Sequence, residues 1–235
     1  MTDLEEIGAG LWLAEGAIVD FYRFPYPTRM AIARFGNGDL WVWSPVKLDE
    51  ALKAKVDALG HVAHLVSPNK IHHLNLPEWH AAYPDAALWG PASTLKRFPA
   101  LPFQAALEDA PPEVWQPEID QAWFRGSFAM DEVVFFHQPS QTVILADLIE
   151  AFSDDFLKEH WSWWQRPLAA LDGITVHNPG APREWRLSFT DRMPARAARD
   201  KVLGWPVERV IMAHGEWQRA NGHAFLKRAF AWLGD

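Results

Sequence analysis

Cysteine is absent from this 235-residue chain. No disulfide can staple it and no thiolate can hold a metal, so any ion must be bound by histidine and carboxylate. A basic excess is missing as well: 22 Lys and Arg against 30 Asp and Glu leave a net charge of −8. Phosphate contacts need clustered cations, so nucleic acid is not expected as a partner. No apolar run approaches the roughly 20 residues that cross a bilayer, which argues against stable membrane insertion. The opening Met1-Thr2-Asp3-Leu4-Glu5-Glu6 is acidic and lacks the basic and apolar regions of a signal peptide; a cytoplasmic location is expected. Neither a Gly-rich phosphate loop nor a Gly-x-Ser-x-Gly elbow occurs, so nucleotide binding and serine hydrolysis lose ground.

What is present is an ordinary globular composition, 49% hydrophobic and 22% charged, with 14 Trp and 14 Phe that imply a large aromatic core. The first half reads as short strands at Gly10–Ala14, Arg29–Phe35 and Leu40–Ser44, with Gly36-Asn37-Gly38-Asp39 as a hairpin turn. Asp49–Leu59 has apolar residues at helical spacing and stops at Gly60; the strand Val62–Val66 follows, which implies a parallel pair. Pro77–Tyr83 reads as a helix and Ala87–Gly90 as a strand, and the proline-rich 98–117 as irregular loop. Strands resume at Ala122–Phe124, Glu132–His137 and Thr142–Ala146. Helices are expected over 155–172 and Pro194–Leu203, then the strand Arg209–Ala213 and a last helix His223–Leu233. Two β-rich halves flanked by helices predict an α/β (α+β) fold, an αββα sandwich of two mixed sheets.

Three apolar strands end in metal-binding residue types. Val62–Val66 runs into Ser67-Pro68-Asn69-Lys70-Ile71-His72-His73, Val143–Ala146 into Asp147, and Val210–Ala213 into His214. Loops leaving the C-terminal strand ends converge in open sheets, so His72, His73, Asp147 and His214 form a candidate metal set. Each also has a structural use, as a packing pair, a turn aspartate or a buried histidine. The other histidines are weaker candidates: His61 and His64 flank a strand, His80 reads as surface, and His137 as solvated near a hairpin tip. Trp161, Trp163 and Trp164 either wall the pocket or pack a helix onto the sheet. Arg183, Arg186, Arg192, Arg196 and Arg199 form a basic stretch suited to salt bridges or to one anionic substrate group.

The order of elements resembles the metallo-β-lactamase superfamily over nearly the whole chain, and so implies one domain spanning 1–235. That family's motif is His-x-His-x-Asp-His after a strand, with a later histidine, an aspartate after a strand and a closing histidine. Laid on Pro68-Asn69-Lys70-Ile71-His72-His73, Pro68 and Lys70 take the places of the first two histidines, His72 that of the aspartate, and His73 the last histidine. Asp147 and His214 match the later aspartate and closing histidine, while Phe124-Arg125-Gly126-Ser127 offers no histidine. The resemblance implies that half of a two-metal site survives as His72, His73, Asp147 and His214. These would hold one Zn²⁺ or another divalent ion, or none. Two readings follow. One is a hydrolase of a small-molecule ester, thioester, lactone or amide, with Asp147 at the ion and Lys70 stabilising an oxyanion. The other is a metal-free binding or scaffolding protein. Oligomeric state is not encoded legibly.

Overall fold

Alternation along the strands decides the layering. In Asp39–Trp43, Leu40 and Val42 join one buried cluster and Trp41 and Trp43 another, as a period of two requires. The computed structural model describes residues 3–234, so Met1, Thr2 and Asp235 of the expected domain lie outside the described residues. The chain begins with β1 (Glu5–Gly8), β2 (Leu11–Glu15), β3 (Val19–Phe21), β4 (Phe24–Tyr26), β5 (Arg29–Arg34) and β6 (Asp39–Trp43). Helix α1 (Glu50–Leu59), β7 (His61–Val66), α2 (Leu76–Ala82), β8 (Ala87–Trp89) and α3 (Ala92–Arg97) follow. Beyond the proline-rich segment come β9 (Ile119–Phe124), β10 (Glu132–His137) and β11 (Thr142–Leu145). The last part holds α4 (Asp154–His160), α5 (Arg166–Asp172), α6 (Arg183–Leu187), α7 (Met193–Leu203), β12 (Arg209–Met212) and α8 (Gly222–Ala229).

Two sheets face each other. The six-stranded one runs β1-β2-β5-β6-β7-β8 and the four-stranded one β12-β11-β10-β9, with β3 and β4 as a separate hairpin. Both sheets are mixed: β6, β7 and β8 are parallel, as are β11 and β12, and the remaining neighbours are antiparallel. Trp41, Trp43, Phe135, Ile144 and Ile211 fill the space between the sheets. Leu52 and Val56 of α1 and Trp79 of α2 cover the outside of the larger sheet. Trp185, Ala198, Val202 and Phe225 from α6, α7 and α8 cover the smaller one. The fold is the expected αββα sandwich.

Several expectations change in detail. The helix expected over 155–172 is two helices, because Trp161 is extended (φ −99°, ψ 139°) and Pro167 restarts the chain in the first turn of α5. The last helix stops at Ala229 and a 3₁₀ turn at Ala231–Leu233 follows. β1, the β3–β4 hairpin and α3 are elements of three to six residues, too short to set a periodic pattern. His137, expected to be solvated, is fully buried, and its Nδ1 lies 2.7 Å from Ser140 Oγ. It ends a strand paired on both sides, opposite Ile119 and Thr142, so water is excluded there.

Candidate metal centre

Between β7 and α2 the chain is turned by its own side chains. Ser67 Oγ donates to the carbonyls of Asn69 (2.7 Å) and His72 (2.8 Å). Asn69 Oδ1 accepts from the backbone N–H groups of Ile71 (3.0 Å) and His72 (3.2 Å), an Asx-type turn. Asn69 Nδ2 then donates across the sandwich to Asp147 Oδ2 (2.6 Å) and Glu132 Oε2 (2.9 Å). Glu132, the first residue of β10, accepts in addition from the N–H groups of Ala146 (2.8 Å) and Asp147 (2.9 Å). One buried carboxylate and one buried amide thus lock the ends of β7 and β11 together. After β12 the chain bends at Gly215, whose φ is +90° and where a Cβ would lie 2.2 Å from the Ala151 carbonyl oxygen. Only glycine allows this approach, and it sets His214 beside Asp147.

His72 Nε2 lies 3.1 Å from Asp147 Oδ2, and His214 Nε2 lies 3.2 Å from Asp147 Oδ1. One ligand atom from each of His72, Asp147 and His214 falls within 4.8 Å of the others, the one such group among the described residues. The far nitrogen of each imidazole is engaged: His72 Nδ1 is 2.7 Å from Ser44 Oγ, and His214 Nδ1 is 2.6 Å from the Pro27 carbonyl oxygen. A carbonyl can only accept, so His214 carries its proton on Nδ1. In the neutral ring the Nε2 lone pair then faces a carboxylate oxygen. Two acceptors at 3.2 Å need a proton or a cation between them. Outer partners of this kind are also what metal-ligating histidines have. Two imidazoles and a carboxylate suit Zn²⁺ and other borderline divalent ions, so the residues present fit a metal.

The electrostatics show how strongly the cluster holds positive charge. With protons on the facing nitrogens, burial by itself would raise the Asp147 carboxyl, but the charge of His72 and the hydrogen bonds from His214 and His72 hold it far below the usual carboxylate range. Burial would depress the His72 imidazolium, yet the charge and hydrogen bond of Asp147 and the charge of Glu132 reverse the sign and raise it. Glu132 is pushed up to about 7 by burial and by the charge of Asp147, against the pull of its backbone donors and Asn69. Glu150, buried three positions beyond Asp147, is raised well above the ordinary value by burial and by Asp147, and it accepts a hydrogen bond from Tyr26 Oη at 3.3 Å. Three buried carboxyl groups thus crowd two imidazoles, an arrangement that favours added positive charge.

The structure brings together His72, Asp147 and His214, and it places His73 apart from them. The His73 ring stacks on Phe98 with centroids 4.1 Å apart, and burial lowers its basicity. Adjacent residues point apart once Asn69 has turned His72 inward, so the expected set of four is a cluster of three. Lys70 donates through Nζ to the Ala129 carbonyl and lines the same cavity, which measures about 830 Å³ and has Tyr26, Ser44, His72, Asp147 and His214 along its floor. Trp161 is buried under the hairpin, donating to the Pro25 carbonyl at 2.9 Å, and Trp163 and Trp164 are exposed; all three lie outside the cavity lining. Of the arginine stretch, Arg186, Arg192 and Arg196 bind backbone carbonyls instead of lining the cavity. Sequence reasoning missed Ser44, Asn69, Glu132 and Tyr26. The one signal was positional, since Ser44 ends a strand and Asn69 sits in the loop already singled out.

A family model described as a domain of unknown function (DUF4336) matches residues 12–158. None of the curated proteins compared matches the chain. Among solved structures, a metallo-β-lactamase from Erythrobacter litoralis has a TM-score of 0.66 at 13% identity, covering 99% of this chain and 96% of that one. A metallo-β-lactamase from Pontibacter korlensis has a TM-score of 0.65 at 10% identity, with 100% of each chain covered. The Flv1 flavodiiron core from Synechocystis has a TM-score of 0.61 at 10% identity, covering 99% of this chain and 60% of that one. Likeness at such identities shows the fold, and the fold is metallo-β-lactamase-like.

Proposed function

This chain belongs to the DUF4336 family, and we propose that it is a metal-dependent hydrolase of a small-molecule ester, thioester, lactone or amide. His72, Asp147 and His214 are the ligands, with Zn²⁺ as the first choice of ion. The observation that carries the reading is the convergence of ligand atoms from His72, Asp147 and His214 within 4.8 Å of one another, with the outer nitrogen of each imidazole already engaged by Ser44 Oγ or the Pro27 carbonyl. When bound, a divalent ion supplies Lewis-acid chemistry that activates water towards a carbonyl. The protein's own contribution is positioning. Ser44 and the Pro27 carbonyl orient the two imidazoles, and Asn69 orients the carboxylate. Lys70 lines the cavity with a cation, which suits it to stabilise charge on a carbonyl oxygen.

The test is hydrolysis of a panel of esters, thioesters, lactones and amides by protein reconstituted with Zn²⁺, Mn²⁺ or Fe²⁺, alongside Asp147→Asn. The expected outcome is turnover that requires metal and falls at least a hundredfold in the variant, on the scale of losing a group that acts at the reacting centre (~10²-fold or more). Turnover that is indifferent to both chelation and Asp147→Asn would contradict the proposal.

A further inference from the structure

The cavity changes character between floor and mouth. Its floor holds the polar cluster, whereas its mouth is ringed by Tyr22, Leu74 and Phe128, which are 82%, 63% and 79% exposed. These residues come from three separate segments: the β3–β4 hairpin, the loop before α2 and the loop after β9. Three large apolar side chains around one opening form a shared surface, unlike single exposed residues, which need no explanation. Aromatic contacts join that mouth to the floor. The Tyr22 and Phe21 rings meet at 4.8 Å, Phe21 and Tyr26 at 5.7 Å, and Tyr26 and His214 at 5.0 Å, each edge-on. Cations and anions both line the walls, Lys70 and Arg97 against Asp20 and Glu184, so neither sign of charge is selected.

The hairpin turn supplies a second, independent observation. Tyr22 and Arg23 have φ of +51° and +70°, values at which Asn and Gly are favoured and a bulky side chain is strained. Asp20 Oδ1 accepts from the Arg23 N–H at 3.0 Å and helps to hold the turn. An aromatic ring is thus kept at the cavity mouth in a conformation that a smaller residue would adopt more readily. Strain retained beside a site points to use.

From these features we infer that the ligand of this cavity is an acyl compound with an extended, uncharged alkyl chain. Its carbonyl lies at the floor and its chain runs out along Tyr26, Phe21 and Tyr22, facing Phe128 and Leu74. The position of the carbonyl rests on the hydrolase reading; the apolar track does not. The volume of about 830 Å³ lies in the range that encloses a drug-sized ligand (roughly 300–1,000 Å³), much more than a short acyl group needs.

The test is calorimetric binding of straight-chain carboxamides of four to ten carbons to the metal-free protein, where neither metal nor turnover enters. Each added methylene is expected to tighten binding about fourfold, the equivalent of ~0.8 kcal/mol. Phe128→Ser should flatten that dependence. Tyr22→Asn should flatten it too while raising Tm, because asparagine relieves the turn; this combination separates loss of a contact from loss of the fold. Val114→Ser, an exposed site outside the cavity, should bind as the parent does. Affinity independent of chain length, or a dependence unchanged in both Tyr22→Asn and Phe128→Ser, would overturn the inference. Chain-dependent binding in a protein that hydrolyses no ester would uphold it and remove the hydrolase reading alone.

Discussion

At the scale of single residues, the centre is defined by what each side chain is prevented from doing. His214 cannot move its proton to Nε2 while the Pro27 carbonyl accepts at Nδ1, and His72 is held by Ser44 Oγ at 2.7 Å. Ser44→Ala is therefore expected to weaken metal affinity by about 10–100-fold, the usual effect of removing an outer partner of a ligating histidine. Isothermal titration of the two proteins with Zn²⁺ checks it, and equal affinities would show that Ser44 does not orient the ring. Three of the cluster's residues were legible in the sequence because each follows a buried strand. His73 was read as a fourth because two adjacent histidines look alike until a turn separates them; the hydrogen bonds of Asn69 Oδ1 make that turn. Glu132 was illegible. Its role depends on Asn69, 63 positions away, and on the end of β11, and no local pattern encodes such a meeting.

Among the elements, length governed what could be read. Strands that are continuous apolar runs of four or more residues, such as β6 and β10, were found, and so was the parallel β6–β7 pair that a crossover helix requires. The three-residue strands β3 and β4 carry too few positions to alternate, yet they supply one side of the cavity mouth. β10 also offers a pH test. Burial lowers the His137 imidazolium from its ordinary value to about 4. Between about pH 6.5 and pH 4 the unfolded chain binds a proton at this position and the folded chain does not, so stability falls as pH falls through that window. The cost is up to ~3 kcal/mol at pH 4, at about 1.4 kcal/mol per pH unit. Glu132 and Glu150, raised by burial, act with the opposite sign, so the comparison must be with His137→Asn. That variant is expected to lose up to ~3 kcal/mol less than the parent between pH 6.5 and pH 4 in urea unfolding. Parallel profiles would contradict the assignment.

For the molecule as a whole, the sandwich is what brings distant residues to one spot. Each sheet is closed on its outer face by helices, so both inner faces bury large aromatics, and the three strand ends emerge at a common edge. The overall architecture was legible because buried strands and amphipathic helices alternate in a recognisable order. The cavity was not, since its walls come from loops and a hairpin whose residues share no period. Among the described residues no helix is long and apolar enough to cross a membrane. A ligand bound only by the folded state stabilises it by about 2.7 kcal/mol at a hundred times its Kd. For a chain of this length that is a rise in Tm of roughly 5–11 °C. The central claim, that His72, Asp147 and His214 form a metal centre, is tested most directly by metal analysis of protein purified without an affinity tag, with thermal unfolding followed on chelation. The expected result is one divalent ion per chain, lost in Asp147→Asn, with Tm falling on chelation in the parent alone. A parent that holds no stoichiometric ion, and whose Tm is indifferent to both Zn²⁺ and chelator, would contradict it.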